Sequence, residues 1–391
     1  MFKRKRSPAK TAMNIILVVI LLGAVAFLGY SVGKPIMEFL DSRENERPSY
    51  SESHDFEENS PVVTKAVTTA PEETEPPVTT VLHEAEPKTG RRILTVTIPT
   101  GAGSEDYIRS RAEYAKVNGY YGISLELLAV GGSVKYQTAN ERAISSNAVS
   151  AGAIADLKTA ADIISGEGLV PYARVSALSD HIVSWDKSIC YLFENSTSTW
   201  LDNDIDSGGK PWMSVFSETA REYICSIVKE ISDAGFSGII AGELEFPPFR
   251  NSDLNYVGAS VKSADRYKGL QDFSNAMQDS FGTAKTYAIE VDAQDIVSGR
   301  AEILSNPDSL DAQIVYVKYD SSAVGLRIVK TDETEISYSG LSEEDKLTVV
   351  MKSVADELLA SGKTVIPAVT DEALVPQLVA MGYDEQMILI Y

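Results

Sequence analysis

Cysteine and histidine are nearly missing from this 391-residue sequence. Cys190, Cys225, His54, His83 and His181 are the full set, and no two stand at metal-ligand spacing. No metal centre is expected from them. Outside the cytosol Cys190 and Cys225 are able to pair or to stay as thiols, and both outcomes remain open. No G-x-G-x-x-G turn follows the first predicted strand, which removes the dinucleotide fingerprint, and no organic cofactor is called for. Positive charge is also scarce: 35 Lys and Arg stand against 56 Asp and Glu, a formal net charge of -21. Beyond the first residues no basic stripe occurs, so a phosphate backbone would be repelled and nucleic acid is not an expected partner.

What is present falls into four stretches. Residues 1–11 open with MFKRKRSPAK, a basic segment. Residues 12–33 are uncharged and mainly apolar, about 20 residues, enough to cross a hydrocarbon core of roughly 30 Å as a helix. The basic flank places the N-terminus in the cytoplasm and everything after it outside, in a single-pass cell-membrane arrangement. Ala24-Val25-Ala26 has the form of a signal-peptide cleavage site, but the apolar run continues through FLGYSV, which favours an uncleaved anchor. Residues 34–90 are rich in Glu, Ser, Thr and Pro without helical or strand period. Such a stretch buries too little surface to offset its ordering entropy, and it is expected to be a disordered extracytoplasmic linker.

Residues 91–391 alternate short apolar runs with amphipathic segments. The predicted strands are Ile93–Pro99, Gly122–Leu128, Leu169–Val175, Gly238–Leu244, Lys285–Val291, Ala312–Lys318, Thr364–Val369 and Met387–Tyr391. Eight near-continuous apolar strands separated by helical patterns imply an α/β fold of the (β/α)8 TIM-barrel type, with a doubly wound open sheet as the rival.

In a (β/α)8 barrel the site is built at the C-terminal ends of the strands. Those ends carry Glu126, Arg174, Glu243, Glu245, Glu290, Asp292 and Lys318. Glu243 and Glu245 would share one strand face, opposite Gly242 and Leu244. The long loop after the third strand holds all three tryptophans, Trp185, Trp200 and Trp212. Flat rings stack on the apolar faces of pyranoses, and paired carboxyl groups flank a glycosidic bond, so this combination points to a sugar site. Two plainer readings stand beside it: Glu126 pairing with Arg174 across strand ends, and tryptophans that only pack the loop.

The stretch from Ser198 to Phe249 resembles the core of the putative glycosyl hydrolase domain family, a family of unknown function found on exported Gram-positive proteins. Trp200 and Asp202 match its Trp-x-Asp, Trp212 its following turn, Tyr223 its helix, and Phe246-Pro247 the exit of its fourth strand. Gly132, Val134 and Tyr136 match its Gly-x-Val-x-Tyr, and Arg174 its third-strand arginine. The resemblance implies a glycoside hydrolase-like barrel with Tyr136, Arg174, Trp200 and Trp212 at the substrate. It also marks departures, since the acid of the family's fourth strand falls on Gly242, its tyrosine on Glu243 and its arginine on Glu245.

These readings together lead to a membrane-anchored, extracytoplasmic glycoside hydrolase-like protein acting on polysaccharide or peptidoglycan glycan. Glu243 or Glu245 with Glu290 would supply the acid and its partner. Glu126, Tyr136, Arg174, Trp200, Trp212, Asp292 and Lys318 would bind substrate. The departures keep a second expectation in place, a catalytically inactive glycan-binding or scaffolding barrel of the same ancestry.

Overall fold

The computed structural model describes residues 92–391 apart from 100–103, 195, 251, 256, 263–265, 359–361 and 384–387. The predicted basic segment 1–11, anchor 12–33 and linker 34–90 lie outside the described residues. Among the described residues no helix is long and apolar enough to cross a membrane.

Eight parallel strands form the centre: β1 Ile93–Thr97, β2 Gly122–Leu128, β3 Val170–Ser176, β4 Gly238–Gly242, β5 Thr286–Asp292, β6 Ile314–Tyr319, β7 Thr364–Val369 and β8 Leu389–Ile390. Each pairs with the next, and β1 pairs with both β2 and β8, so the sheet closes on itself. Closure excludes the open doubly wound sheet. Each of the eight predicted strands is present, with ends that shift by a few residues. Two short strands, Val134–Tyr136 and Val149–Ile154, extend the sheet outward from β2.

The helices α1 Ser104–Val117, α2 Leu157–Gly166, α3 Glu218–Asp233, α4 Arg266–Phe281, α5 Ala293–Ser298, α6 Glu343–Leu358 and α7 Val375–Ala380 fall between successive strands. α3 shows why they form. Ser217 caps its N-terminus by accepting from the Ala220 amide, and Glu218 complements the helix dipole. Its buried residues Ala220, Tyr223, Ile224, Ile227, Val228 and Ile231 repeat at helical spacing. They join the outward strand residues Leu125, Val175, Ile239 and Ile289 in one apolar shell around the barrel.

The inward residues form a separate core of Ile93, Tyr172, Ile240, Ala288, Tyr316, Ile366, Ala368 and Leu389. Large rings are seated there beside small residues, because a Cβ at Gly238 would lie 2.2 Å from the Tyr172 ring. Strand alternation returns the same face every second residue. One step further along the strands, that face carries Glu126, Arg174, Gly242, Glu290, Lys318, Ala368 and Tyr391. The barrel interior therefore changes from apolar to charged within one layer of side chains, at its C-terminal end.

Candidate active site

Arg174 is the centre of that charged layer, and its side chain is 4% exposed. Its Nη2 donates to Glu290 Oε1 at 2.8 Å and to Glu243 Oε1 at 2.7 Å. Its Nε lies 3.3 and 3.2 Å from the two Glu290 oxygens. Glu126, its register partner on β2, approaches Nη1 at 3.6 Å. Glu126 thus takes the plainer role weighed above, pairing with Arg174 across neighbouring strand ends. Burial works against the Arg174 charge, but Glu290 and Glu243 outweigh it and hold its pKa above the ordinary value.

Glu290 is enclosed, with its side chain 5% exposed. Besides Arg174, it accepts from the Tyr391 hydroxyl. Both of its oxygens are thereby committed to protein donors, so its position is that of a group holding Arg174 and Tyr391, not one open to a ligand. The Lys318 ammonium lies 5.3 Å from the centroid of the Tyr391 ring. Tyr391 is a site residue that strand-end reading passes over. A signal for it exists, since it follows the inward-facing Leu389 by two positions, but a tyrosine side chain carries no charge to attract notice.

β4 ends at Gly242, two residues before its predicted limit. Glu243 then adopts φ 48°, a left-handed conformation costly for a side chain with a Cβ. The turn breaks strand alternation, and the expected common face for Glu243 and Glu245 does not exist. Glu243 instead bends back to Arg174, while Leu244 and Phe246 bury into the outer shell. The glycine before it is dictated by the arginine: a Cβ at 242 would lie 2.5 Å from Nη2 and 2.9 Å from Cζ of Arg174. The guanidinium occupies the space where the family resemblance places an acid.

Glu245, Asp292 and Asp295 make a second acidic group at the mouth. Glu245 is partly open to solvent but surrounded by protein mass. Burial first, then the charges of Asp295, Glu243 and Asp292, push its pKa up to about 8, with Arg300 opposing. Asp292 follows Glu290 on the inward face of β5 and is solvent-exposed at the rim. The protein around it raises its pKa to about 6, Lys318 opposes the shift, and Asp295, Glu290 and Glu243 add to it. Asp295 is raised by burial and opposed by Arg300, whose Nη1 stands 3.4 Å away. At neutral pH one carboxyl at the mouth therefore keeps a proton while another is ionised, which is the division that acid–base chemistry on a glycosidic bond requires.

The tryptophans separate into three situations. Trp200 is fully buried, with tilted or edge contacts to Tyr191 and Phe249 and its Nε1 donating to Asp253 Oδ2 at 2.9 Å. It cannot present a face to sugar, and that expectation is corrected. Trp212 is partly buried against His181, its Nε1 donating to Asp202 Oδ2 at 3.0 Å. Trp185 is 50% exposed. Tyr136 also lies away from any ligand: it is 1% exposed and its hydroxyl donates to Glu230 Oε2 at 2.7 Å. The family-matching aromatic residues Trp200 and Tyr136 thus hold the scaffold together. Cys190 and Cys225 are both free thiols. Among the described residues no group of His, Cys, Asp and Glu is arranged to hold a metal ion.

Fold and mouth together are those of a glycoside hydrolase-like barrel. The chain belongs to the putative glycosyl hydrolase domain family, whose model matches residues 98–346, well over half of its length. Among solved structures it is similar to the PgaB (BpsB) glycoside hydrolase domain from Bordetella bronchiseptica. That likeness has 13% identity and a TM-score of 0.54, and it covers 77% of this chain and 94% of that one. It is also similar to the glycoside hydrolase domain of PelA from Pseudomonas aeruginosa, at 12% identity and TM-score 0.40, over 77% of this chain and 94% of that one. A hypothetical protein from Ruminiclostridium thermocellum matches at 14% identity and TM-score 0.42, over 50% of this chain and 96% of that one. No curated protein matches.

Proposed function

We propose that this chain is a membrane-anchored, extracytoplasmic glycoside hydrolase acting on cell-wall or extracellular glycan. The observation that carries the reading is the acidic group at the C-terminal mouth of the barrel, where Glu245, Asp292 and Asp295 act on one another beside the carboxylates that hold Arg174. The basic segment and apolar run at the N-terminus support placement at the outer face of a membrane. Glu245, protonated at neutral pH, is the proton donor to the leaving oxygen. Asp292, ionised and open to the mouth, is its partner, either as base for water or as nucleophile. Glu243, Glu290 and Glu126 fix Arg174, Tyr391 holds Glu290, and the Lys318 charge favours the ionised form of Asp292. No step needs a metal or an organic cofactor.

One observation favours the second reading, a glycan-binding barrel without turnover. The position that carries an acid in the resembling family is Gly242, and the Arg174 guanidinium fills its space.

A reducing-end assay separates the two. The full chain is incubated with solubilised peptidoglycan strands and with common polysaccharides, beside Glu245→Gln, Asp292→Asn and Glu290→Gln. New reducing ends from the wild type, lost in Glu245→Gln and Asp292→Asn, support hydrolysis. Turnover that Glu245→Gln leaves intact removes Glu245 as the acid. Saturable binding with no turnover supports the second reading.

A further inference from the structure

Along β1 and β2 the barrel wall carries polar atoms that the protein does not use. The inward face of β1 runs Ile93, Thr95, Thr97, and that of β2 runs Gly122, Ser124, Glu126. The two strands pair in register, so Thr95 stands beside Ser124 and Thr97 beside Glu126. Ile93 is 3% exposed, Thr95 is partly exposed and Thr97 is exposed. Exposure rises step by step toward the C-terminal end, and the mouth reaches down this wall as far as Thr95.

The hydroxyls of Thr95 and Ser124 are shielded, and among the described residues neither has a hydrogen-bond partner. Ser124 is 0% exposed. The two do not bond to one another, although their strands hold them side by side. A buried hydroxyl without a partner costs stability, so a neighbouring pair of them on adjacent strands is not what core packing selects. Glu126 adds acceptor capacity one step above. It approaches Arg174 only at 3.6 Å, too far for a hydrogen bond, and among the described residues it accepts none.

The chemistry of this wall selects the ligand class. Its partner must donate to a carboxylate and exchange hydrogen bonds with two hydroxyls. An anionic group is excluded, because the cation beside Glu126, Arg174, is buried and already held by Glu243 and Glu290. Vicinal hydroxyls of a sugar ring meet the requirement. In the closed ring of eight strands β5 stands opposite β1. A glycan that crosses the mouth therefore presents one ring to Glu245 and Asp292 and another to the β1–β2 wall.

We infer that Thr95, Ser124 and Glu126 form a sugar-binding subsite on the β1–β2 wall, across the mouth from the acid pair, which takes a neutral ring with free vicinal hydroxyls. One hydroxyl of the ring donates to Glu126. Its neighbour lies between Thr95 and Ser124, whose hydroxyls turn toward it by a staggered step about χ1. The subsite deepens the glycan reading above and rests on it, but not on turnover. A site built to bond a hydroxyl discriminates strongly against a ring that lacks one, since its own polar groups are then left unpaired.

Affinity electrophoresis of the full chain tests this, in native gels cast with soluble peptidoglycan strands, glycol chitin, xylan or polygalacturonate. The wild type is expected to be retarded in at least one of the first three and not by polygalacturonate. Thr95→Val and Ser124→Ala should each weaken the retardation by about threefold to tenfold, the worth of one hydrogen bond. Their melting temperatures should stay at the wild-type value or rise, because each deletes a hydroxyl that the fold itself does not bond. Retardation that survives both substitutions overturns the subsite, as does a wild type retarded by none of the gels or by polygalacturonate alone. A fall in melting temperature in both variants also overturns it, by showing that the hydroxyls serve the fold. The reducing-end assay keeps the two readings apart. Turnover, with retardation unchanged in the variants, leaves hydrolysis standing and removes the subsite, and hydroxyl-dependent retardation without turnover does the reverse.

Discussion

Arg174 and Gly242 occupy one another's space: a Cβ at 242 would fall 2.5 Å from the Arg174 Nη2. The arginine cannot easily give way, because Glu126, Glu243 and Glu290 hold its guanidinium from separate strand ends. Gly242→Ala is therefore expected to destabilise the chain by about 1–3 kcal/mol, the usual range for overpacking a filled site. Gly242→Asp, which restores the acid of the resembling family, should be worse in this background. Urea denaturation measures both, and a Gly242→Ala variant as stable as wild type would show that the guanidinium is free to move.

Removing the arginine should cost more than removing its pair as a unit. Arg174→Met leaves Glu290 buried without its counter-charge, a defect worth about 3–5 kcal/mol in comparable pairs. Arg174→Met combined with Glu290→Gln should recover part of that loss. A double-mutant cycle by chemical denaturation checks it, and strict additivity would mean that the ion pair is not coupled.

The two mouth carboxyls predict a bell-shaped pH dependence of kcat/KM. Activity rises as Asp292 loses its proton near pH 6 and falls as Glu245 loses its own near pH 8. A pH–rate profile on any hydrolysed glycan tests this. Asp292→Asn should lower the rate by at least about a hundredfold, and a profile flat from about pH 5 to 9 would assign the chemistry elsewhere.

Stability should carry the same signature with a definite sign. The Glu245 carboxyl is raised from an ordinary 4.5 to about 8 in the fold, so the folded chain binds a proton there that the unfolded chain releases. That contribution is complete below about pH 4.5 and is lost as pH rises through 8. The raised Asp292 and Asp295 act in the same direction. Wild type should therefore lose melting temperature between about pH 5 and 9, and Glu245→Gln should lose less. Equal slopes would show that Glu245 is ordinary in solution.

Trp200→Ala should act on folding. Its ring is enclosed with Tyr191 and Phe249 and its indole is held by Asp253, so truncation is expected to cost about 3–5 kcal/mol. Trp185→Ala should leave the melting temperature unchanged. Equal thermal stability of wild type and Trp200→Ala would remove the packing role.

Several features of the site are readable as pattern. Arg174, Glu290 and Lys318 stand where a strand-end reading places them, and Glu126 is legible as a candidate partner for Arg174. The tryptophan loop is visible as an insertion, but a ring that packs and a ring that faces solvent have the same letter. Trp200 and Trp185 differ only in what Phe249 and Asp253, some fifty residues beyond Trp200, bring to one of them. Glu243 defeats pattern reading for a different reason: a left-handed residue just past a strand has no period, so alternation assigns it the wrong face.

By itself, the order of residues determined the strands, the helices between them and the switch from apolar to charged side chains at the mouth. Those follow from the two-residue period of a strand and the cost of burying charge. Which carboxylate is tied to Arg174 and which keeps its own proton was decided only by closure of the barrel. Residues 126, 174, 243, 290 and 391 meet across the ring, and ion pairing and burial depend on distance in space, which position along the chain does not contain.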